Sequence, residues 1–312
     1  METLCVSLLG RLDVRCGDER LECLSAHKAQ EMLGYLLLHR DHPHRREALT
    51  SLMWPNCAAA QSMKSFRHTL WQLRAALDSD RLAMDGELLL VDLEWIGIHP
   101  EARFWLDVAE FERVFGSVQS VPGRDLQDRD AETVREVLDL YRGDLLEGCY
   151  QDWCILERER LRHIYLTLIE KKMIYSEAHG RYQRGLEYGT RALRCEVAHE
   201  RIHRRMMRLY YLAGSRTASL RQYERCVAIL RQELGVDPSP STRVLYEEIR
   251  SSHFLGPDEP RPDGKSAAPG LIWSTSPQTS HCLTSLQLML FQMQRQLQEA
   301  IDTIELAIHR SG

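Results

Sequence analysis

Residues 58–77 read AAAQSMKSFRHTLWQLRAAL, and this stretch decides the fold of the first third of the chain. Its apolar residues recur at intervals of three and four, a spacing that predicts a helix with one buried stripe. The stripe consists of Met63, Phe66, Leu70, Leu73 and Leu77. The opposite side of the helix is polar and partly basic, so we expect this helix to lie on the surface of its domain, with one side open to solvent.

The segments on either side of this helix predict a small domain. Residues 3–23 alternate between apolar and polar side chains, as short strands do, and residues 29–37 have helical spacing. A short second helix is expected before Trp54-Pro55. After the third helix, Asp85-Gly86 predicts a two-residue hairpin between Arg81–Met84 and Glu87–Val91. The order of strands, three helices and hairpin is that of a winged helix-turn-helix, which we place at residues 1–98.

Residues 99–255 predict an α-helical repeat domain. Gly180 recurs as Gly214, and the offset of 34 residues is repeated by two further pairs, Leu186 with Leu220 and Arg191 with Arg225. This is the period of tetratricopeptide (TPR) repeats, in which helix pairs stack because no single pair buries its apolar face alone. The fold class expected for the chain is therefore mainly α, with a winged helix followed by TPR-like repeats and a C-terminal helix.

The C-terminal part of the chain divides into two segments. Residues 256–280 are rich in Pro, Gly, Ser and Asp, a composition typical of a flexible linker. Residues 281–310 predict an amphipathic helix, because apolar residues recur every seven positions from Leu283 to Ile304. Two interpretations stay open for this helix: it pairs with a second copy to form a homodimer, or it folds back onto the repeats.

Several segments resemble one family of regulators. RREALTSLMW (45–54) and AAAQSMKSFRHTLWQLRAALD (58–78) resemble the OmpR-type winged helix of the SARP-like transcriptional activators. The segments that resemble the bacterial transcriptional activator domain of the same family are FWLDVAEFERVF (104–115), YRGDLLEGCYQDWCILERERLR (141–162), AHERIHRRMMRLYYLAG (198–214) and YERCVAILRQELGVDPSPSTRVLYEEI (223–249). The resemblance covers residues 3–250. It implies binding to double-stranded DNA and contact with RNA polymerase.

The distribution of charge locates a DNA-binding surface that the net charge conceals. The formal net charge is −5, whereas residues 39–77 carry six basic and two acidic residues together with four histidines. Lys and Arg bind phosphates or guanine edges, Gln pairs with adenine, and the recognition helix of this fold enters the major groove. The predicted DNA-contact residues are Arg45, Arg46, Gln61, Lys64, Ser65, Arg67, His68, Trp71, Gln72 and Arg74. Contact through the hairpin is not favoured, since Asp78, Asp80 and Asp85 would repel DNA.

Two other functions are compatible with the residues. The repeats could serve as a protein-interaction scaffold whose winged helix does not read DNA. His199–His203 reads HERIH, which matches the HExxH pattern of zinc hydrolases, but Arg201, Arg204 and Arg205 would repel a dication. We therefore expect no enzyme activity, no metal and no cofactor. The N-terminus has no basic, apolar leader and no stretch is long enough to span a membrane, so we expect a cytoplasmic location.

Overall fold

The computed structural model describes residues 4–17, 19–21, 26–77 and 87–251. Its strands are β1 (Leu4–Ser7), β2 (Asp13–Cys16), β3 (Glu19–Arg20), β4 (His44–Arg45), β5 (Leu89–Val91), β6 (Trp95–Ile98) and β7 (Phe104–Leu106). Its helices are α1 (His27–Leu38), α2 (Arg46–Met53), α3 (Ala59–Leu77), α4 (Asp107–Val118), α5 (Asp128–Leu140), α6 (Asp152–Ala178), α7 (Tyr182–Cys195), α8 (Glu200–Leu212), α9 (Arg216–Leu234) and α10 (Pro240–Arg250). A single 3-10 turn, Gly123–Asp125, connects α4 to α5.

The first sheet has the strand order β3-β2-β1-β7. Strands β1 and β2 are antiparallel, with Val6 opposite Val14, and the alternation seen in the sequence matches the buried side chains of Leu4 and Val6. Strand β7 lies parallel to β1 on its other side, with Leu106 opposite Val6. This parallel partner comes about a hundred residues later in the chain, so the sheet joins both predicted domains.

Helices α1 to α3 cover the core of the winged region, as the apolar spacing predicts. The five apolar positions predicted for α1 are all buried: Ala29, Met32, Leu33, Leu36 and Leu37. Helix α3 begins at Ala59, one residue after the predicted start. A second sheet with the order β4-β6-β5 adjoins these helices, and β5 and β6 form an antiparallel hairpin in which Leu89 lies opposite Ile98. The predicted Asp85-Gly86 turn lies outside the described residues.

The junction between the two regions is built from backbone groups and one carboxylate. Asp107, the first residue of α4, is only 1% exposed and accepts hydrogen bonds from the N–H groups of Leu8 and Leu9. Close by, the N–H of Gly10 donates to Asp144 O at 3.0 Å, and the N–H of Leu146 donates to Leu8 O at 2.9 Å. The buried apolar residues from Leu4 to Leu209 form one continuous cluster. The winged region and the first helical repeats therefore share a core, while the domain limits at 98 and 255 stay predictions.

The helical region has the repeat that the 34-residue offset predicts. Gly180 and Gly214 follow α6 and α8 and have φ values of +66° and +78°. This left-handed conformation suits glycine and ends a helix, so each glycine marks the turn inside a helix pair. Helix α10 closes the array against α8 and α9, and the rings of Tyr223 and Tyr246 stack there with centroids 4.0 Å apart.

The predicted fold class is confirmed: the protein is mainly α-helical, with a small winged region ahead of a TPR-like domain. Among the described residues, no helix combines the length and apolar character that a membrane crossing requires. The predicted linker at 256–280 and the predicted helix at 281–310 lie outside the described residues.

Candidate nucleic-acid interface

Helix α3 is fixed in place by its apolar side. Phe66 is 1% exposed and packs its ring edge-on against Trp54, with centroids 6.4 Å apart. Leu73 is fully buried, and Ser62 turns its hydroxyl back to Ala58 O at 3.2 Å. Because both α1 and α2 pack on this side, the rotation of α3 about its own axis is set by the core. The predicted stripe is confirmed, with Met63 half-buried at its margin.

The other side of α3 presents the predicted contact residues to solvent. Of the eight that lie on this helix, six are exposed: Gln61, Lys64, Arg67, His68, Trp71 and Arg74. Ser65 and Gln72 are half-buried. The structure thus brings all eight onto one helix, from its first turn to its last, and the other described elements leave six of them exposed.

The aromatic pair on this surface is unusual for a solvated helix. Trp71 is 66% exposed, and its ring stacks on that of His68 with centroids 6.1 Å apart and planes 20° apart. An apolar surface of this size left in water is unfavourable unless a partner covers it. Flat rings of this kind contact thymine methyl groups or sugar edges when a helix enters a groove.

Arg45 and Arg46 stand beside α3 rather than on it. Arg45 lies in β4, and its guanidinium carbon is 5.4 Å from the centre of the Trp95 ring. Arg46 is the first residue of α2, and its backbone N–H donates to Glu94 O at 2.9 Å. Both side chains are half-buried, and the Nε atom of each is buried without a hydrogen-bond partner among the described residues. The Arg45 side chain therefore packs on Trp95 of the hairpin, and the half-buried stems of both arginines are compatible with guanidinium ends that reach phosphates.

The hairpin of β5 and β6 follows the predicted turn at 85–86 and contributes no positive charge between Leu89 and Ile98. Its turn carries Asp92, Leu93 and Glu94, all exposed, and Leu93 is 89% exposed. Two carboxylates at the tip oppose contact with a phosphate backbone. The other acidic residues of the predicted wing, at 78, 80 and 85, lie outside the described residues.

The HERIH segment has the geometry of helix packing. His203 is fully buried; its Nε2 lies 2.9 Å from Val197 O, and its Nδ1 lies 2.8 Å from the side-chain nitrogen of Gln222. A carbonyl only accepts, so Nε2 carries the proton and Nδ1 accepts from Gln222. Glu200 accepts from the N–H and the hydroxyl of Ser239, at 2.8 and 2.6 Å. Both ring nitrogens are thus occupied, and burial lowers the pKa of His203.

A metal site is likewise not assembled in the described part of the chain. There, no group of three or more His, Cys, Asp or Glu side chains is placed to hold a metal ion. Glu224, the acid that follows the HERIH segment on the next helix, is exposed on α9. The geometry therefore favours a structural role for HERIH in joining α8 to α10.

Comparison with known families identifies the second region. Residues 106–250 match the family model of the bacterial transcriptional activator domain. Over these residues the chain is similar to that domain, and the match covers just under half of the chain. Its start at Leu106 falls in β7, the strand that pairs with β1, so the domain begins inside the sheet of the winged region.

The relatives of the chain are named as regulators. It is 22% identical over 218 residues to regulatory protein AfsR of Streptomyces coelicolor, an alignment covering 70% of this chain and 21% of AfsR. It is 22% identical over 250 residues to transcriptional regulatory protein MoaR1 of Mycobacterium tuberculosis, with 78% of each covered. The chain thus spans about a fifth of the length of the first of these relatives. The resemblance of the activator domain and its neighbouring segments to SARP-like regulators is confirmed.

A solved structure has the same fold over most of the chain. The structure of Mycobacterium tuberculosis EmbR in complex with a low affinity phosphopeptide superimposes with a TM-score of 0.58. The superposition covers 82% of this chain and 67% of EmbR, at 19% sequence identity. At this identity the likeness concerns the fold alone. It covers more than the activator domain, so the N-terminal region is included in it.

Proposed function

We propose that this protein is a transcription regulator that reads promoter DNA with α3 and activates transcription through a contact between its helical domain and RNA polymerase. The observation that carries the proposal is the exposed face of α3. This face combines three cations, an amide and an aromatic pair on a helix whose other side is locked into the core. Such a helix offers both base-edge and phosphate contacts without rearrangement of the domain.

The two cations at the centre of this face are available to a ligand. Lys64 and Arg67 lie one turn apart and are exposed, and neither has an ion-pair partner among the described residues. In contrast, most arginines of α6 and α8 are tied to acids, as Arg208 is to Glu177 at 2.5 Å. Most arginines of α6 and α8 are therefore paired inside the protein, whereas Lys64 and Arg67 have no ion-pair partner among the described residues and can attract phosphates.

The activator domain supports the polymerase part of the proposal, since the domain carries that name in the family that it matches. The start of α6 presents an exposed apolar group to solvent, with Tyr150 80%, Ile155 42% and Leu156 59% exposed. Apolar groups of this kind favour a protein partner. The same group would serve a scaffold that binds proteins and does not read DNA, so this alternative is kept as a second candidate.

The test is selection of DNA fragments by the purified protein. Genomic fragments of the source organism are incubated with the full chain at near-physiological salt with excess nonspecific DNA, and retained fragments are sequenced. We expect a small set of fragments that share one motif. The test variant is Lys64→Ala/Arg67→Ala on α3. The control variant, Arg129→Ala/Arg221→Ala, removes the same amount of positive charge from exposed positions of α5 and α9.

The two variants separate the proposal from the scaffold. Loss of selection in the α3 variant alone supports DNA reading by α3. Retention of unselected fragments by all three proteins, or no retention at all, contradicts the proposal and favours the scaffold.

A further inference from the structure

A charged cavity lies between α5, α6 and α7, away from α3. Its volume is about 190 Å³. Six charged side chains line it: Asp128, Glu132, Arg135, Lys172, Arg181 and Arg184. The four cations and two carboxylates give a formal charge of +2. The arginines at positions 181 and 184 are exposed, so the mouth of the cavity is cationic.

Lys172 forms the inner wall of this cavity. Lys172 is 6% exposed, and its ammonium group donates one hydrogen bond, to Ala131 O at 2.7 Å. The nitrogen also lies 4.9 Å from the centre of the Tyr175 ring and 5.7 Å from that of Tyr188. An ammonium has three donors. Two donors of this buried cation therefore have no acceptor among the described residues.

The nearby carboxylates are already engaged. Glu132 accepts from Arg135 at 2.5 Å, and Asp128 accepts from the hydroxyl of Tyr175. Burial lowers the pKa of Lys172 to about 8, so the ammonium is still mostly charged at pH 7. A buried cation without a hydrogen-bonded anion is costly to the fold. This cost falls when an anion enters the cavity that Lys172 lines.

We propose that this cavity binds the phosphate group of a small molecule, held by Lys172 from within and by Arg181 and Arg184 at the mouth. A phosphate monoester carries a charge of about −1.5 to −2 at neutral pH, which balances the formal +2, whereas a single carboxylate leaves half of it uncompensated. The volume equals roughly six water molecules at about 30 Å³ each, enough for a phosphate and a small attached group. The ring of Tyr188 offers that group an apolar surface.

This site goes beyond DNA reading, because it gives the activator domain a means of sensing a phosphorylated metabolite. The cavity connects α5 to the first helix pair, α6 and α7. Bound phosphate would tie these three elements together by charge-assisted hydrogen bonds. The ligand thereby stabilises one arrangement of the helical domain.

The site is tested on the full chain without DNA, so its outcome does not depend on the DNA-binding proposal. Binding of inorganic phosphate and phenyl phosphate is measured by calorimetry and by thermal unfolding, with chloride and acetate at matched ionic strength as reference anions. We expect saturable binding and a raised unfolding temperature with both phosphates, and neither effect with chloride or acetate.

Three variants locate the binding. Arg184→Gln, at an exposed position, should weaken phosphate binding about tenfold or more, since one charge-assisted contact is lost. Arg194→Gln, also exposed on α7, should leave binding unchanged. Lys172→Met should abolish binding and raise the unfolding temperature of the ligand-free protein, because it removes a buried uncompensated charge.

Three results would overturn the proposal. One is the absence of saturable phosphate binding in the millimolar range. A second is equal affinity in the Arg184→Gln and Arg194→Gln proteins, which would mark an adventitious ion only and holds even if Lys172→Met fails to fold. The third is much tighter binding of a phosphoserine peptide than of phenyl phosphate, which would assign the cavity to a protein partner instead.

Discussion

Replacing Asp107 with Asn should strongly destabilise the protein, although the two side chains have the same shape. The carboxylate accepts three backbone N–H groups from two elements: Leu8 at 2.9 and 2.8 Å, Leu9 at 2.9 Å and Val108 at 2.7 Å. Both oxygens are used, Oδ1 by Val108 and Oδ2 by Leu9. An amide has one oxygen, so its nitrogen must face one of these donors in either orientation.

The magnitude follows from that geometry. The variant loses one hydrogen bond to a charged group, worth about 1.5–3 kcal/mol, and leaves one buried N–H unsatisfied, which costs about 1–3 kcal/mol. The sum is roughly 2.5–6 kcal/mol, a large part of the 5–15 kcal/mol that is typical of a domain. Burial raises the pKa of Asp107, and the three N–H groups oppose that shift. The carboxylate that they hold joins β1 to α4, so its loss should open the junction between the two regions.

Equilibrium urea unfolding at pH 7, followed by circular dichroism, measures this cost. The matched control is Asp130→Asn, since Asp130 also lies in the first turn of a helix but is exposed. The control loses only a helix-dipole interaction of about 0.3–1 kcal/mol. A free energy of unfolding for Asp107→Asn within 1 kcal/mol of the control would refute the reasoning, because the amide would then satisfy the same donors.

Two further predictions concern the helical turns and acid stability. Gly214→Ala should lower the free energy of unfolding by about 1–3 kcal/mol, because φ is +78° at this position. Gly116→Ala, inside α4 with open space at Cβ, should raise it by about 0.5–1 kcal/mol. The urea midpoint should therefore fall in the first variant and rise in the second, and equal shifts would disprove this. Burial lowers the pKa of His44 from 6.5 to about 4, so the unfolded chain binds a proton at His44 more readily than the folded protein does. The contribution of neutral His44 to stability is complete above pH 6.5 and is lost as the pH falls towards 4. Between pH 7 and pH 5 the free energy of unfolding should fall by roughly 1–2 kcal/mol less in His44→Gln than in the unsubstituted protein. An identical fall in both proteins would contradict this prediction.

The helices of the winged region could be predicted because local spacing determines them. In α1 and α3 the apolar residues that recur every three or four positions are those that the structure buries. Strands β6 and β7 could not be predicted in the same way. Each has a partner far away in sequence, β4 for β6 and β1 for β7, and the pairing of Val6 with Leu106 leaves no local signal.

The candidate interface was only partly visible in the sequence. The exposed face of α3 follows from the helical wheel, so its eight residues were predicted together. Arg45 and Arg46 were predicted as DNA contacts within the basic stretch 39–77, and the structure places Arg45 in a strand against Trp95. That these residues contact DNA stays a prediction, both for those on α3 and for Arg45 and Arg46.

The phosphate cavity was missed altogether. Its main residue, Lys172, stands in the run YLTLIEKKMIY, where charged residues inside an otherwise apolar segment are the only signal. In a domain with many cations such a residue resembles one more surface charge. Only the burial of its ammonium beside Ala131 O distinguishes it, and burial depends on how α5 and α6 pack.

The central claim, that α3 holds DNA, is tested most directly by the salt dependence of binding to a selected fragment. Affinities are measured between about 50 and 200 mM salt for the unsubstituted protein and for the two charge-matched double variants. For Lys64→Ala/Arg67→Ala we predict weaker binding and a plot of log affinity against log salt whose slope is smaller by about two, as expected when two phosphate contacts are lost. Arg129→Ala/Arg221→Ala should keep the slope of the unsubstituted protein. Equal slopes for all three proteins, or the larger loss in the Arg129→Ala/Arg221→Ala protein, would contradict the account.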